Sequence, residues 1–319
     1  MRGNSVGFHK SVFSAMALFL PLAVLAGTAN TTDPAYRAEI EKWRQQREAR
    51  LTSDNGWLTV AGLFWLKEGD NRFGSSPLND IVLPEPSVAA ETGNFILSNG
   101  KITLHVTPAA AAANGATGGS AKILLDGKPV HGDAVMLPDS DDKGPSVLTI
   151  GDLTLLVHAS GARLGIRLKD KDSRLRREFA GLSWFPVDES YRVTAQYLPY
   201  ASPKEVQIAN ILGDVDKMSS PGEVVFTLQD KQLRMEAVQD DPNSLWFVFR
   251  DMTSGKETYG AARFLYSELP ANGKVVLDFN KAYNPPCAFN PYTTCPLPPP
   301  ENRLPVRVEA GEKKYSHGH

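Results

Sequence analysis

The sequence predicts an all-β chain with one leading α-helix: an antiparallel β-sandwich-like N-terminal part followed by a second β-rich part. Three observations carry this. From Gly56 the chain breaks into short β-type runs separated by Gly, Pro, Asn and Asp. Past residue 52 no stretch of any length repeats its apolar residues at helical spacing. Several later runs, among them Tyr191–Leu198 and Glu205–Ile211, alternate with a period of two.

Residues 1–29 read as a signal peptide. Arg2 and Lys10 give a positive head, and Val12 to Leu25 is an apolar run too short for a comfortable membrane span. Either Val24-Leu25-Ala26 or Gly27-Thr28-Ala29 suits a peptidase that takes small residues, and no lipoprotein cysteine follows. The expected location is periplasmic or secreted, with no integral span in the remainder. Cleavage removes two positive charges, taking the formal net charge from −2 to −4. A mildly acidic chain without a Lys/Arg block argues against nucleic acid or anionic lipid as partner, and the sequence indicates no oligomeric state.

An amphipathic helix is expected over 33–51. Asp33 is a natural N-cap and Pro34 fits the first helical position. Tyr36, Ile40, Trp43 and Leu51 form the docking stripe, and Arg44, Arg47 and their charged neighbours take the remaining face.

The sandwich is expected over 52–160. Its candidate strands are Trp57–Val60, Asp80–Leu83, Asn94–Leu97, Ile102–Val106, Ala121–Leu125, Val147–Ile150 and Leu153–His158. Pro108–Ser120 reads as a small-residue loop. Gly69-Asp70-Asn71-Arg72-Phe73-Gly74-Ser75-Ser76, with Leu125-Asp126-Gly127-Lys128-Pro129-Val130 later, resembles a forkhead-associated-type sandwich. That family's phosphothreonine site uses an arginine after the first glycine and a serine and histidine after the third strand. Here Ser75 follows Gly74 and no histidine follows Ser87, so the likeness implies the shape and not phosphopeptide binding.

The second β-rich part is expected over 161–319. It holds Arg163–Leu168, Tyr191–Leu198, Glu205–Ile211, Val224–Leu228, Leu233–Ala237, Leu245–Phe249, Ala262–Tyr266 and Val275–Phe279. The last strand feeds the Pro/Cys loop 278–304, where proline removes backbone donors and pushes each preceding residue to extended geometry. Three patterns stand out: Asp251-x-Thr253-Ser254-Gly255-x-x-Thr258-Tyr259-Gly260, Asp278-Phe279-Asn280-x-Ala282-Tyr283-Asn284-Pro285-Pro286-Cys287, and Cys295-Pro296-Leu297-Pro298-Pro299-Pro300-Glu301-Asn302. Together they resemble an uncharacterised prokaryotic family, domain of unknown function 1684. Gly62-Leu63-Phe64-Trp65-Leu66 and Ile166-Arg167-Leu168-Lys169-Asp170 fit as well. The resemblance implies no activity and leaves function open.

In an exported protein the two cysteines, Cys287 and Cys295, are expected to pair as a disulfide, constraining the unfolded chain by ~2–3 kcal/mol. No metal site or cofactor motif is expected, because no Cys or His stands at ligand spacing and no nucleotide loop is present. A nucleophilic cysteine would need a base that only the fold could bring, His105 or His158. His105, His131 and His158 otherwise read as sheet residues, and His317 and His319 as a frayed tail.

The remaining chemistry lies in Arg167, Asp170, Asp251, Arg263, Asp278, Asn280, Tyr283 and Asn302, the candidate ligand-binding residues. If Val275–Phe279 pairs with Ala262–Tyr266, then Arg263, Asp278, Asn280, Tyr283 and Asn302 converge on one cavity beside the loop. The bland alternative is an internal network of buried pairs and amides. Three functional readings stand: a small or extended polar ligand in a pocket of the C-terminal β part, a hydrolase using two of Asp251, Asp278, Glu301 and Glu312, or a structural envelope protein without a ligand.

Overall fold

The computed structural model of the protein describes residues 1–5, 7, 32–84, 88–113, 122–130 and 132–316. Thr32–His319 cluster as one compact unit. The expected signal peptide falls almost wholly outside the described residues, as do His131, His317 and His319. No described helix is long and apolar enough to cross a membrane.

The chain is mostly β. Two sheets face each other in the first part. One is six-stranded, ordered Val60–Trp65, Arg163–Asp170, Leu153–Ser160, Val147–Ile150, Ile123–Leu125, Lys128–Pro129. The other is five-stranded, ordered Ile81–Val82, Gly69–Gly74, Gly93–Ser98, Lys101–Val106, Ala134–Met136. Phe73, Phe95 and Leu104 from one meet Leu148, Leu155 and Ile166 from the other, all fully buried, as alternation along a half-buried strand requires. The Leu153–Ser160/Arg163–Asp170 hairpin belongs to this sandwich and straddles the boundary expected at residue 160.

Gly69–Gly74 was not among the expected strands. Its sequence is polar, but Asn71 is buried and fully used: Oδ1 accepts the Lys67 N–H, and Nδ2 donates to the Lys67, Gly69 and Phe95 carbonyls. A helix, Pro108–Ala113, replaces the start of the expected small-residue loop.

The second part is built on a four-stranded sheet, ordered Lys231–Ala237, Val215–Leu228, Arg192–Ala209, Lys274–Asp278. The hairpin Ser244–Phe249/Arg263–Glu268 packs Phe247, Phe249 and Leu265 onto it, with Leu304, Val306 and Val308 closing the core. Arg192–Ala209 is one long strand where two were expected. Its register shifts between Pro199 and Lys204, where Pro203 cannot donate to a ladder. Past that bulge the hairpin tip clasps the Pro/Cys loop, with Ile211 N–H on Cys295 O and Leu297 N–H on Ala209 O.

Lys274–Asp278 pairs with Arg192–Ala209, not with Arg263–Glu268 as expected. The expected disulfide is also absent. Cys287 and Cys295 are buried free thiols, with the Cys287 N–H donating to Cys295 Sγ at 3.2 Å. Prolines and the hairpin's backbone bonds hold this loop without a crosslink.

The helix α1, Pro34–Thr52, is capped as expected, Asp33 accepting from Ala35 N–H. Its buried stripe is Tyr36, Ile40, Arg44, Arg47 and Leu51, so two arginines assigned to the outer face lie inside. Arg44 stacks over Trp184 at 4.9 Å and donates to Phe185 O at 2.9 Å. Arg47 stacks over Tyr283 at 4.5 Å and donates to Asn284 O at 2.9 Å. Aromatic faces and carbonyls compensate these guanidinium groups for lost water.

Candidate functional site

Along Leu153–Ser160 and Arg163–Asp170 the side chains alternate. Val157 opposes Ile166, both in the sandwich core, while Leu156 opposes Arg167 and His158 opposes Gly165 on the outer face. Gly165 keeps that face low: a Cβ there would sit 3.0 Å from the Phe64 carbonyl and 3.0 Å from the Trp65 ring. The end of α1 turns sharply at Gly56, where a Cβ would stand 2.2 Å from Leu51 O, and this turn presents Trp57. From the other side the hairpin presents Trp246, Phe264 and Tyr266, on the face opposite Phe247 and Leu265. The Pro/Cys loop closes over them.

A cavity of about 480 Å³ lies between these elements, within the ~300–1,000 Å³ usual for small-ligand pockets. One wall is aromatic. Trp246 and Tyr266 are parallel with ring centroids 5.9 Å apart, and Tyr266 and Tyr283 are parallel at 6.5 Å. Burial pushes the Tyr283 hydroxyl up to about 12, partly offset by Arg47, so these rings stay neutral. Arg47, Arg50 and Arg167 also line the cavity, and among the described residues no aspartate or glutamate does.

Arg167 lies 5.5 Å from the Trp57 ring and 3.6 Å from Asp139. Burial pulls its pKa below the ordinary arginine value and Asp139 opposes that; an arginine remains a cation throughout. Two cavity-lining residues, Arg167 and Trp246, each hold a buried donor, Nε–H and Nε1–H, with no acceptor among the described residues. Buried donors are rarely left so, and each costs roughly 1–3 kcal/mol.

Thr294 also lines the cavity and begins a hydrogen-bond chain. His158 Nε2 lies 2.9 Å from Thr294 Oγ1, and His158 Nδ1 lies 2.6 Å from Asp139 Oδ2. Asp139 Oδ1 accepts the Ala159 N–H at 2.9 Å, so both carboxylate oxygens are held against the His158 strand. Burial raises the Asp139 pKa, but the bonds from His158 and Ala159, with Arg167 nearby, hold it below the usual carboxylate value. An ionised carboxylate only accepts, so Nδ1 carries a proton, and in the neutral ring Nε2 then accepts from the Thr294 hydroxyl.

Of the eight expected site residues, Arg167 and Tyr283 line this cavity. The others do not converge on it. Arg263 is fully buried against Asp251, at 2.7 Å. Asn302 stitches Glu236 to Val248 through its side-chain amide. Asn280 bonds Tyr36, Asp188 and Asp278, and Asp278 accepts from the Tyr36 hydroxyl at 2.8 Å beside a separate cleft. Asp170 accepts the Asp172 N–H in a turn. Asp139 and Thr294 were not anticipated, although Thr294 stands directly before Cys295 in a loop already singled out, and His158 was one of two histidines the fold could bring there.

A family model described as "Protein of unknown function (DUF1684)" matches residues 177–313. That span holds Trp246, Tyr283 and Thr294, while Arg47, Asp139, His158 and Arg167 precede it. Curated proteins gave no match. Among solved structures the chain is similar to an uncharacterized protein of Haloarcula marismortui, solved by solution NMR. The two are 31% identical over 44% of this chain and 80% of that one, with a TM-score of 0.38.

Proposed function

We propose that the chain, whose residues 177–313 match the model of the family of proteins of unknown function DUF1684, binds a small ligand with an anionic group and a flat apolar body. One observation carries the reading: Arg167 and Trp246 line a cavity with three arginines and, among the described residues, no carboxylate, and each holds a buried N–H without an acceptor among those residues. Guanidinium groups favour carboxylate and phosphate oxygens, and the parallel aromatic wall suits a planar body. A hydrolase built on Asp251, Asp278, Glu301 or Glu312 lacks such support, since none of the four lines this cavity.

Thermal unfolding with benzoate, phenyl phosphate, inorganic phosphate and neutral benzamide tests the reading. A specific ligand at a hundred times its Kd stabilises by about 2.7 kcal/mol. The expected result is a rise in Tm with benzoate or phenyl phosphate, little with benzamide, and loss of the response in Arg167→Met and Trp246→Phe. Equal responses to benzoate and benzamide, or none to any probe, would overturn it. The reading includes export, for which Arg2, Lys10 and the apolar run Val12 to Leu25 are the support. Intact Met1 on exported protein in mass spectrometry would remove the signal peptide from this reading, and absence of the protein outside the cytoplasm would remove export.

A further inference from the structure

We infer that Thr294 is a nucleophile activated by His158, and that the chain hydrolyses small esters carrying an anionic group. The inference rests on the binding reading for its substrate class and on separate geometry for its chemistry. A weak hydroxyl nucleophile needs an adjacent base, and that base needs a third group to orient it. Here the base lies 2.9 Å from the hydroxyl and the orienting carboxylate 2.6 Å from the far ring nitrogen. Thr294 is the member of the three that lines the cavity, and His158 is buried. Cys295, the neighbouring thiol, has no such base among the described residues; it is engaged by Cys287 and Thr293.

The step balances without a further cofactor. His158 Nε2 takes the Thr294 proton as Oγ1 forms a bond to the ester carbonyl carbon. The tetrahedral adduct collapses, breaking the bond to the leaving oxygen, which receives the proton from the imidazolium. Water, deprotonated by His158 in its turn, then cleaves the acyl-threonine to release the acid and restore the hydroxyl. Arg167 and Trp246 line the same cavity and are the residues at hand to stabilise the oxyanion. Asp139 touches no substrate and is a positioning residue: it holds the tautomer in which Nε2 can accept.

The test uses the whole chain with p-nitrophenyl acetate and its anionic counterpart, p-nitrophenyl hydrogen succinate. Wild type is expected to prefer the succinate and to show an acyl adduct on Thr294 by mass spectrometry of quenched samples. Thr294→Ala and His158→Gln should each lower turnover roughly 10²-fold or more, with Thr294→Ser restoring part of it. Asp139→Asn should lower kcat without raising KM. Circular dichroism identifies any variant that fails to fold, and the adduct on wild type then decides alone. Equal hydrolysis by wild type and Thr294→Ala, no turnover of either ester, or an adduct elsewhere would overturn the inference. If benzoate still stabilises the protein in that case, the binding reading survives; if the adduct forms and benzoate does nothing, the binding reading falls and the nucleophile stands.

Discussion

Arg263 donates to Asp251 Oδ2 at 2.7 Å, and both side chains are completely withdrawn from solvent. The same guanidinium donates to the Ala310 and Val308 carbonyls and lies over the Phe249 ring. Asp251 Oδ1 accepts the Thr253 and Val308 N–H groups. The pair therefore ties the C-terminal extended segment to the Ser244–Phe249/Arg263–Glu268 hairpin. Burial pulls the Arg263 pKa down and Asp251 opposes it, so Asp251 compensates a cation that has lost its water. Asp251→Asn should cost about 3–5 kcal/mol, the penalty for stranding one charge of a buried pair. Asp278→Asn should cost nearer 1 kcal/mol, because the amide keeps one acceptor for Tyr36 and the nearest cation, Lys281, stands 3.9 Å away. Urea unfolding of both variants gives the comparison. Equal losses would remove the pair's anchoring role.

Tyr36 anchors the start of α1. Its hydroxyl donates to Asp278 Oδ1 at 2.8 Å and accepts from Asn280 Nδ2 at 3.0 Å. Burial first, then Asp278, raises its pKa well above the ordinary tyrosine value, so it remains a donor at any working pH. Tyr36→Phe keeps the ring but removes the shortest bond to Asp278 Oδ1, which retains the Asn280 N–H and Nδ2 as donors, at a cost of about 1 kcal/mol. Limited proteolysis should then open sites in Pro34–Thr52 before the sheets are cut. Unchanged stability together with unchanged proteolysis would show that α1 is held by its arginines alone.

The thiols should react in a fixed order. The hydrogen bond to Cys295, then burial, raises the Cys287 pKa far above the usual thiol value. Burial also acts to raise Cys295, but the Cys287 thiol and N–H and the Thr293 hydroxyl outweigh it and hold Cys295 below the usual value. The thiolate is the reacting form, and Cys295 lines the cavity. Native iodoacetamide labelling should modify Cys295 first, more slowly when benzoate is present. Denatured, unreduced protein should take up label at both cysteines. Failure of both to label after denaturation would establish a bridge.

What was legible in the sequence follows from the range of the forces involved. Val147–Ile150 occupies its expected bounds because its alternation is local and its outer residues face solvent. The helix start at Pro34 is likewise set by its own cap. Gly69–Gly74 was hidden because the partners of Asn71 include a carbonyl 24 residues away. Arg44 and Arg47 looked like surface residues because their compensation comes from Trp184 and Tyr283, far along the chain. The site suffered most. Expecting Lys274–Asp278 beside its sequence neighbour put Arg263 next to Asp278, whereas the strand pairs with Arg192–Ala209. His158 and Thr294 are 136 residues apart, and no local pattern announces a bond of that span.

Glu312 should make stability fall as pH rises. It is completely buried, and burial raises its pKa although Arg47, at 3.4 Å, and Asn284 act to lower it. The folded state therefore holds this proton more tightly than the unfolded state, where a glutamic acid titrates near 4.3. Below about 4.3 both states are protonated and the contribution of Glu312 is fully present. Between that pH and the raised native value the unfolded chain ionises first, so this contribution is lost across the window. Glu312→Gln cannot ionise and keeps a neutral acceptor for Arg47. The free energy of unfolding of wild type minus that of Glu312→Gln, from urea titrations at a series of pH values from about 4 to 7, should decrease as pH rises. An increasing difference would mean that the bond to Arg47 outweighs burial, and that the carboxylate is ionised in the folded protein.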